Sequence, residues 1–540
     1  MDRRTFLRAG GAVGAGAALG PALAGCVPVG GGGSGGAEYV PGRLPTGSVL
    51  DSPAAECPIE HVVVVMMENR SFDHYLGWLS ADEGYLERGR RNYGGGFAID
   101  AAPRQTYLRP DGTPVDTYSL GGGTSPAGFR GCGFADPGHG WGAGRAQRDG
   151  GFLASGSGND EFALGYQEAA DLPFHARMAR RFTTFDRYHC SVLGATQPNR
   201  RYLHSAQSGG YKNNYLPIAE LGHQWDTIWD RLRAAGVPCR SYSPDLPSLA
   251  FWGPRMGDIL SPIDRYFEDC ARGTLPAVTY LDPPYLPWWQ ADDHPLCDPA
   301  AGQRYLRDVF RAFVRSPNWE RGLFVLTYDE WGGFFDHVPP PVLPDLLPSA
   351  VDDDNFGQAG FRVPTVLASP YSRPGYVDHR LYDHTSIMRF VEWRFLGAPA
   401  EGAGGAAGWS LTPRDRNANN IGWSLGAAQP DPEVFDLDGL PLRAPTPNCT
   451  GDPQLVAPGM QPDVGAPAPT TAPTGAAVGA AVGAAVGAAV GAEVVADAPP
   501  GGGPGDDLLV ALEAGYFERI GVDTEPSSLA GTWAGGGSVG

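Results

Sequence analysis

The chain has 540 residues, with 40 Lys and Arg against 60 Asp and Glu, a formal net charge of −20. This acidic balance excludes a nucleic-acid binder, which needs a basic footprint, and excludes electrostatic adsorption to anionic lipid. Hydrophobic residues make up 42%, ordinary for a globular protein, so function must be read from where particular residues fall.

Residues 1–26 read as an export signal. A basic start, Arg3-Arg4-Thr5-Phe6-Leu7, precedes an apolar stretch of Gly and Ala. Paired arginines before Phe-Leu fit twin-arginine export. Leu23-Ala24-Gly25-Cys26 fits a lipobox, whose cleavage would leave Cys26 as a lipid-modified N terminus; plain secretion with Cys26 unmodified is the alternative. The expected location is exported, as a cell-surface or periplasmic lipoprotein or a released form, with any membrane attachment made through Cys26. Residues 27–56, including Gly30–Gly36, are expected to form a flexible tether.

The folded part then opens on an unbroken apolar run, Val62–Met67. It predicts a central strand of a parallel sheet, covered on both faces. Glu68 and Asn69 follow at its carboxyl end, where ligands bind in open α/β sheets. Oxygen donors there suit a hard or borderline divalent metal. Residues 94–158, rich in Gly, Pro and Asp, are expected to be long loops over the site, and His139 and Trp141 lie in them. Helices are predicted over 171–181 and 223–236.

Between these, Gly194-Ala195-Thr196-Gln197-Pro198-Asn199 begins another helix, since Pro fits a first turn. Thr196 at a helix N-terminus, close to a divalent cation, is a candidate nucleophile for phosphorus; the alternative is a simple helix cap. The aromatic loop Pro283–Gln290 either meets a hydrophobic leaving group or is buried against the sheet. A helix over 302–316 leads into a second apolar strand, Leu323–Thr327. That strand ends in Asp329-Glu330, then Gly332-Gly333 and Asp336-His337. Two strand ends that each deliver adjacent donors can build one site between them. A Pro- and Asp-rich flap over 339–354, a strand over 363–369 and a helix over 385–395 complete the pattern. The alternation of helix and strand is that of a doubly wound fold.

Beyond Pro445 the composition shifts to Pro, Ala and Gly, including a repeated Gly-Ala-Ala-Val unit. Residues 441–540 are expected to be a low-complexity tail with one short helix at 506–520. Seven cysteines besides Cys26 show no CxxC spacing, which argues against a thiolate zinc site. Cys270–Cys297 is the pairing guessed at.

The segments ENRSFDHYLG, GATQPNR, TYDEWGGFFDHVPPP and YDHTSIMRFVEWRF together resemble the bacterial phospholipase C / acid phosphatase family of phosphoesterases, in the alkaline phosphatase superfamily. Plant non-specific phospholipases C are similar. The resemblance implies an α/β fold, a three-layer αβα sandwich with a mostly parallel central sheet, alkaline-phosphatase-like, over residues 57–440. It implies a metal-dependent phosphoesterase acting through a phospho-threonine. By resemblance, Glu68, Asn69, Asp329, Glu330 and Thr196 hold a divalent metal ion of unknown identity. Thr196 is also the nucleophile, Asn199 and His384 contact the phosphoryl group, and His294, His337 and His139, in that order, are the general-acid candidates. The substrate is a phospholipid, cleaved in the phospholipase C sense, or a small phosphoester in an acid-phosphatase-type monoesterase. A non-catalytic surface lipoprotein is a further alternative. Trp331 stands where many relatives carry His, which implies an aromatic wall near the leaving group. No obvious counterpart of the extra C-terminal β-rich region of the longer bacterial enzymes is read in the sequence, so phosphatase activity on soluble monoesters is expected as a serious rival.

Overall fold

The computed structural model describes residues 47–121, 136–215, 222–286, 290–295, 297–402, 408–426 and 429–445. The expectations for the signal, the Cys26 lipidation site, the C-terminal tail and Trp288-Trp289 lie outside the described residues. In chain order the strands are β1 (His61–Met67), β2 (Thr106–Leu108), β3 (Pro114–Asp116), β4 (Tyr118–Ser119), β5 (Gly165–Tyr166), β6 (Thr183–Phe185), β7 (Cys239–Ser243), β8 (Leu260–Pro262), β9 (Val278–Leu281), β10 (Gly322–Tyr328), β11 (Thr365–Ala368) and β12 (Val377–Asp378). The helices are α1 (Phe72–Leu76), α2 (Glu83–Tyr93), α3 (Trp141–Gly150), α4 (Pro173–Arg181), α5 (Thr196–Ser205), α6 (Ile228–Ala234), α7 (Ile263–Arg272), α8 (Pro299–Val314), α9 (His384–Leu396) and α10 (Pro413–Asn417).

Eight strands form the main sheet in the order β12-β6-β11-β10-β1-β9-β7-β8. All neighbours are parallel except β11, which runs against both β10 and β6. The predicted strand over 363–369 is thus present but reversed. Val62–Met67 of β1 are buried without a break, as an interior parallel strand requires.

Alternation along the strands shows what covers each face. Phe324 on β10 meets Phe310 of α8 at 4.9 Å between ring centroids. Tyr280 on β9, on the other face, accepts from Arg200 of α5 at 2.9 Å and lies 4.7 Å from the His204 ring. Helices α4, α7 and α8 pack together on the first side, and α5, α6 and α9 on the second. The expected αβα sandwich is therefore present.

Two boundaries differ from the sequence reading. Residues 47–56, expected as tether, include Val49 and Leu50, both buried, and Val49 donates to the Leu425 carbonyl at 3.0 Å. The region 94–158, expected as loops, contains α3, whose two internal glycines conceal its helical pattern. Cys270 and Cys297 are both free. Among the described residues no helix is long and apolar enough to cross a membrane.

Candidate active site

β1 and β10 are adjacent and parallel, with Met67 opposite Tyr328. The residues after each strand therefore emerge at one level. Asn69 adopts a left-handed conformation, φ 57°, which Asn tolerates better than most residues. Its N–H donates to Asp329 Oδ1 at 3.1 Å, and the Glu330 N–H donates to the same oxygen at 2.7 Å. The Arg70 N–H closes the turn on the Glu330 carbonyl at 3.0 Å. Gly332 sits against this turn at φ 64°, so close that a Cβ there would lie 2.1 Å from the Asn69 carbonyl oxygen. The glycine lets the second loop lie on the first.

Thr196 is the first residue of α5, as predicted, and its hydroxyl donates to Asn69 Oδ1 at 3.4 Å. Glu68, Asn69, Asp329, Glu330 and Thr196 are all buried. Arg200, one turn further along α5, is 3.2 Å from Glu68 Oε1, 3.3 Å from Asp329 Oδ2 and 3.5 Å from Asp282 Oδ1. Burial raises the carboxyls of Glu68 and Glu330 well above their ordinary values, and raises Asp329 too, with Arg200 opposing it at Glu68 and Asp329. Burial alone would lower the Arg200 pKa, but the phenols of Tyr285 and Tyr280 and the carboxylates hold it above its usual value.

A divalent cation fits this donor set. Asp329 Oδ2 and Glu330 Oε1 are buried and have no hydrogen-bond partner among the described residues. Arg200 is the one described guanidinium near this set, too little charge for three buried carboxylates, and such an imbalance is costly. The donors are oxygens from carboxylates, an amide and a hydroxyl, the chemistry of a hard cation.

The histidines separate into distinct groups. His139 reaches the donor set: its Nε2 accepts from Asn69 Nδ2 at 3.3 Å and lies 4.0 Å from Glu330 Oε1. Its Nδ1 is 2.8 Å from the Pro137 carbonyl, which can only accept, so Nδ1 carries the proton and Nε2 the lone pair. His294 stands beside it, ring centroids 5.8 Å apart. Both His294 nitrogens are buried with no hydrogen-bond partner among the described residues. Asp136, missed in the sequence, lies between them, 3.7 Å from His294 Nε2 and 3.8 Å from His139 Nδ1. Burial lowers His294 to about 4, against the pull of Asp136, so His294 is neutral at neutral pH and does not fit a protonated acid in this state.

The general-acid candidate His337 and the two expected phosphoryl contacts, His384 and Asn199, have other partners. His337 Nδ1 is 2.5 Å from Asp73 and its Nε2 2.9 Å from Asp100, with Arg362 bridging Asp73 and Asp336; its ring is committed to carboxylates outside the donor set. His384 Nε2 donates to the Asp329 carbonyl at 2.7 Å and braces that residue from behind. Asn199 donates to the carbonyls of Val192, Gly194 and Ala195 at 3.1, 2.8 and 3.1 Å and accepts from the Val192 N–H at 2.9 Å. Its amide shapes the loop carrying Thr196, and both amide hydrogens are engaged by backbone carbonyls. Trp331 is fully buried, with Nε1 donating to Gln147 Oε1 at 2.7 Å, so it is core rather than a wall of the site.

Strand-end oxygen donors, a helix-borne hydroxyl and neighbouring imidazoles are the features of an enzyme that cleaves phosphate esters. The family model described as "Phosphoesterase family" matches residues 59–257 and 251–396; the chain belongs to this family and is a hydrolase of ester bonds. Among its relatives, non-specific phospholipase C6 of Arabidopsis thaliana is 31% identical over 381 residues, covering 63% of this chain and 68% of the relative. Phospholipase C B of Mycobacterium tuberculosis is 29% identical over 460 residues, covering 72% and 83%. The non-hemolytic phospholipase C of Pseudomonas aeruginosa is 29% identical over 390 residues, covering 62% of this chain and 54% of the relative. A solved structure of a protein in the alkaline phosphatase superfamily from Vibrio parahaemolyticus matches at 10% identity and a TM-score of 0.29, covering 66% and 71%.

Proposed function

We propose that this protein is an exported, metal-dependent phospholipase C that opens the phosphodiester of a phospholipid through a phospho-threonine at Thr196. The observation that carries the reading is the Thr196 hydroxyl, at the start of α5, 3.4 Å from Asn69 Oδ1 within the buried acidic set. Glu68, Asn69, Asp329, Glu330 and Thr196 would hold the cation. When bound, it supplies charge that lowers the pKa of an alcohol and offsets the phosphoryl oxygens.

The chain's own residues supply the rest. Asn199 and the 192–195 loop fix the nucleophile in place, which is a large part of catalysing phosphoryl transfer. His139 Nε2, released from Asn69 Nδ2, would take the Thr196 hydroxyl proton and pass it to the leaving diacylglycerol oxygen; it would then take a proton from the water that hydrolyses the phospho-threonine and return it to the Thr196 oxygen. His294 and Asp136 line the approach beside it. Names of relatives support the phospholipid substrate; a soluble monoester is the rival.

The test is hydrolysis of phosphatidylcholine vesicles, p-nitrophenylphosphorylcholine and p-nitrophenyl phosphate, before and after chelation. Diacylglycerol release that chelator abolishes and divalent cation restores is expected. Faster turnover of the monoester would move the reading to a phosphatase. Thr196→Ala should lower turnover by about 10³-fold or more with the fold intact, and normal turnover in that variant would remove the nucleophile assignment.

A further inference from the structure

Arg200 is a buried cation in the middle of the acidic set, its side chain 1% exposed, and no step above uses it. Besides its contacts to Glu68, Asp329 and Asp282, its Nη2 donates to the carbonyls of Met66 and Met67 at 3.3 and 3.2 Å, and its Nη1 to the Tyr280 hydroxyl at 2.9 Å. The guanidinium therefore touches the ends of three neighbouring strands: β1 through Met66, Met67 and Glu68, β9 through Tyr280 and Asp282, and β10 through Asp329. It does so from α5, one turn after the nucleophile. A planar fork with five donors in fixed geometry can make such a set of contacts, and a lysine ammonium cannot.

We propose that Arg200 is a positioning residue. It fixes Glu68 and Asp329 before any cation arrives and ties the Thr196-bearing helix to them, so that nucleophile and oxygen donors keep one mutual geometry. This rests on the metal-site reading above. A plain countercharge role and a positioning role predict opposite signs. A fixed positive charge repels an incoming cation, so if Arg200 contributed charge alone, removing it would tighten metal binding. If it positions the ligands, removing it weakens binding.

The experiment is calorimetric titration of the chelator-stripped full chain with Mn2+, beside kcat and KM on p-nitrophenylphosphorylcholine and a thermal melt, for the wild type, Arg200→Lys and Arg200→Met. Arg200→Lys keeps the charge and loses the fork. It is expected to bind Mn2+ about tenfold more weakly or worse, the range for residues that orient metal ligands, with kcat reduced and KM little changed. Arg200→Met is expected to be weaker still. Wild-type affinity in Arg200→Lys together with tighter binding in Arg200→Met would overturn the proposal. If the Met variant does not fold, Arg200→Lys decides alone: wild-type affinity in it refutes positioning. A wild-type chain that binds no Mn2+, Zn2+ or Ca2+ overturns the metal reading itself, and this proposal with it, and is seen before any variant is made.

Discussion

Gly332→Ala tests whether the two strand-end loops must lie against one another for the site to work. At φ 64° an added Cβ would stand 2.1 Å from the Asn69 carbonyl oxygen and 2.6 Å from its carbonyl carbon, more than about 1 Å short of ordinary contact near 3.5 Å. Both atoms are backbone and cannot swing aside as a side-chain tip can. A left-handed conformation costs an L-residue about 1–2 kcal/mol, and forced overpacking about 1–3 kcal/mol more, for a loss of about 2–5 kcal/mol. The atom that must retreat belongs to Asn69, so Thr196 loses its partner, and a displacement of about 1 Å lowers turnover by about 10²-fold. Gly397→Ala is the internal control: φ is 77° there, but nothing lies within 4 Å of the new Cβ. It should show only the conformational cost, about 1–2 kcal/mol, with normal turnover. Urea midpoints and p-nitrophenylphosphorylcholine hydrolysis report both quantities. Equal midpoints for the two variants, with Gly332→Ala as active as wild type, would refute the reasoning.

Stability should fall on the alkaline side through His337. Although burial pulls it down, hydrogen bonds to Asp100 and Asp73 raise its pKa from 6.5 to about 9. Its contribution is therefore complete below about pH 6.5 and lost as pH rises through about 9, by about 1–2 kcal/mol once solvent screening of the partly exposed ring is allowed for; His337→Gln should flatten that limb in melts run from pH 6 to 10. The same contact holds Asp100 down at about 2, so its acid limb lies below the ordinary Asp range, and the two shifts are one interaction that must not be added. Asn199→Ala should lose about 3 kcal/mol from the buried backbone partners it leaves unpaired and about 10²-fold in turnover from a displaced Thr196. A raised KM with unchanged stability would instead return Asn199 to the substrate.

What was legible in the sequence was whatever depends on short-range pattern. Val62–Met67 and Leu323–Thr327 are continuous apolar runs, and their abrupt ends located Glu68-Asn69 and Asp329-Glu330 without a structure. The start of α5 at Thr196 followed from Pro198. What was not legible depends on the direction of side chains after folding. Asn199 and His384 belong to motif segments, yet the amide of one and the ring of the other are spent on backbone carbonyls, which spacing does not reveal. Nothing local marks Arg200 and Arg362 for burial, and long-range pairing with Asp329 and Asp336 accompanies their complete burial. Asp136 sits in a Gly-rich stretch with no periodicity to mark it. The reversal of β11 has no local signal either, because an apolar strand reads alike in both directions.

The register of β1 with β10 has an evolutionary consequence. The donor pairs are extensions of two central, hydrogen-bonded strands, whereas residues 339–354 join core elements without belonging to the main sheet. Changes of length or composition in that segment leave the strand ladder untouched. Descendants of such a chain are therefore free to vary it while the two donor pairs keep their places. Conversely, a slip of one residue between the two central strands would separate the donors at a stroke, so this pairing is the part of the molecule with the least freedom to drift.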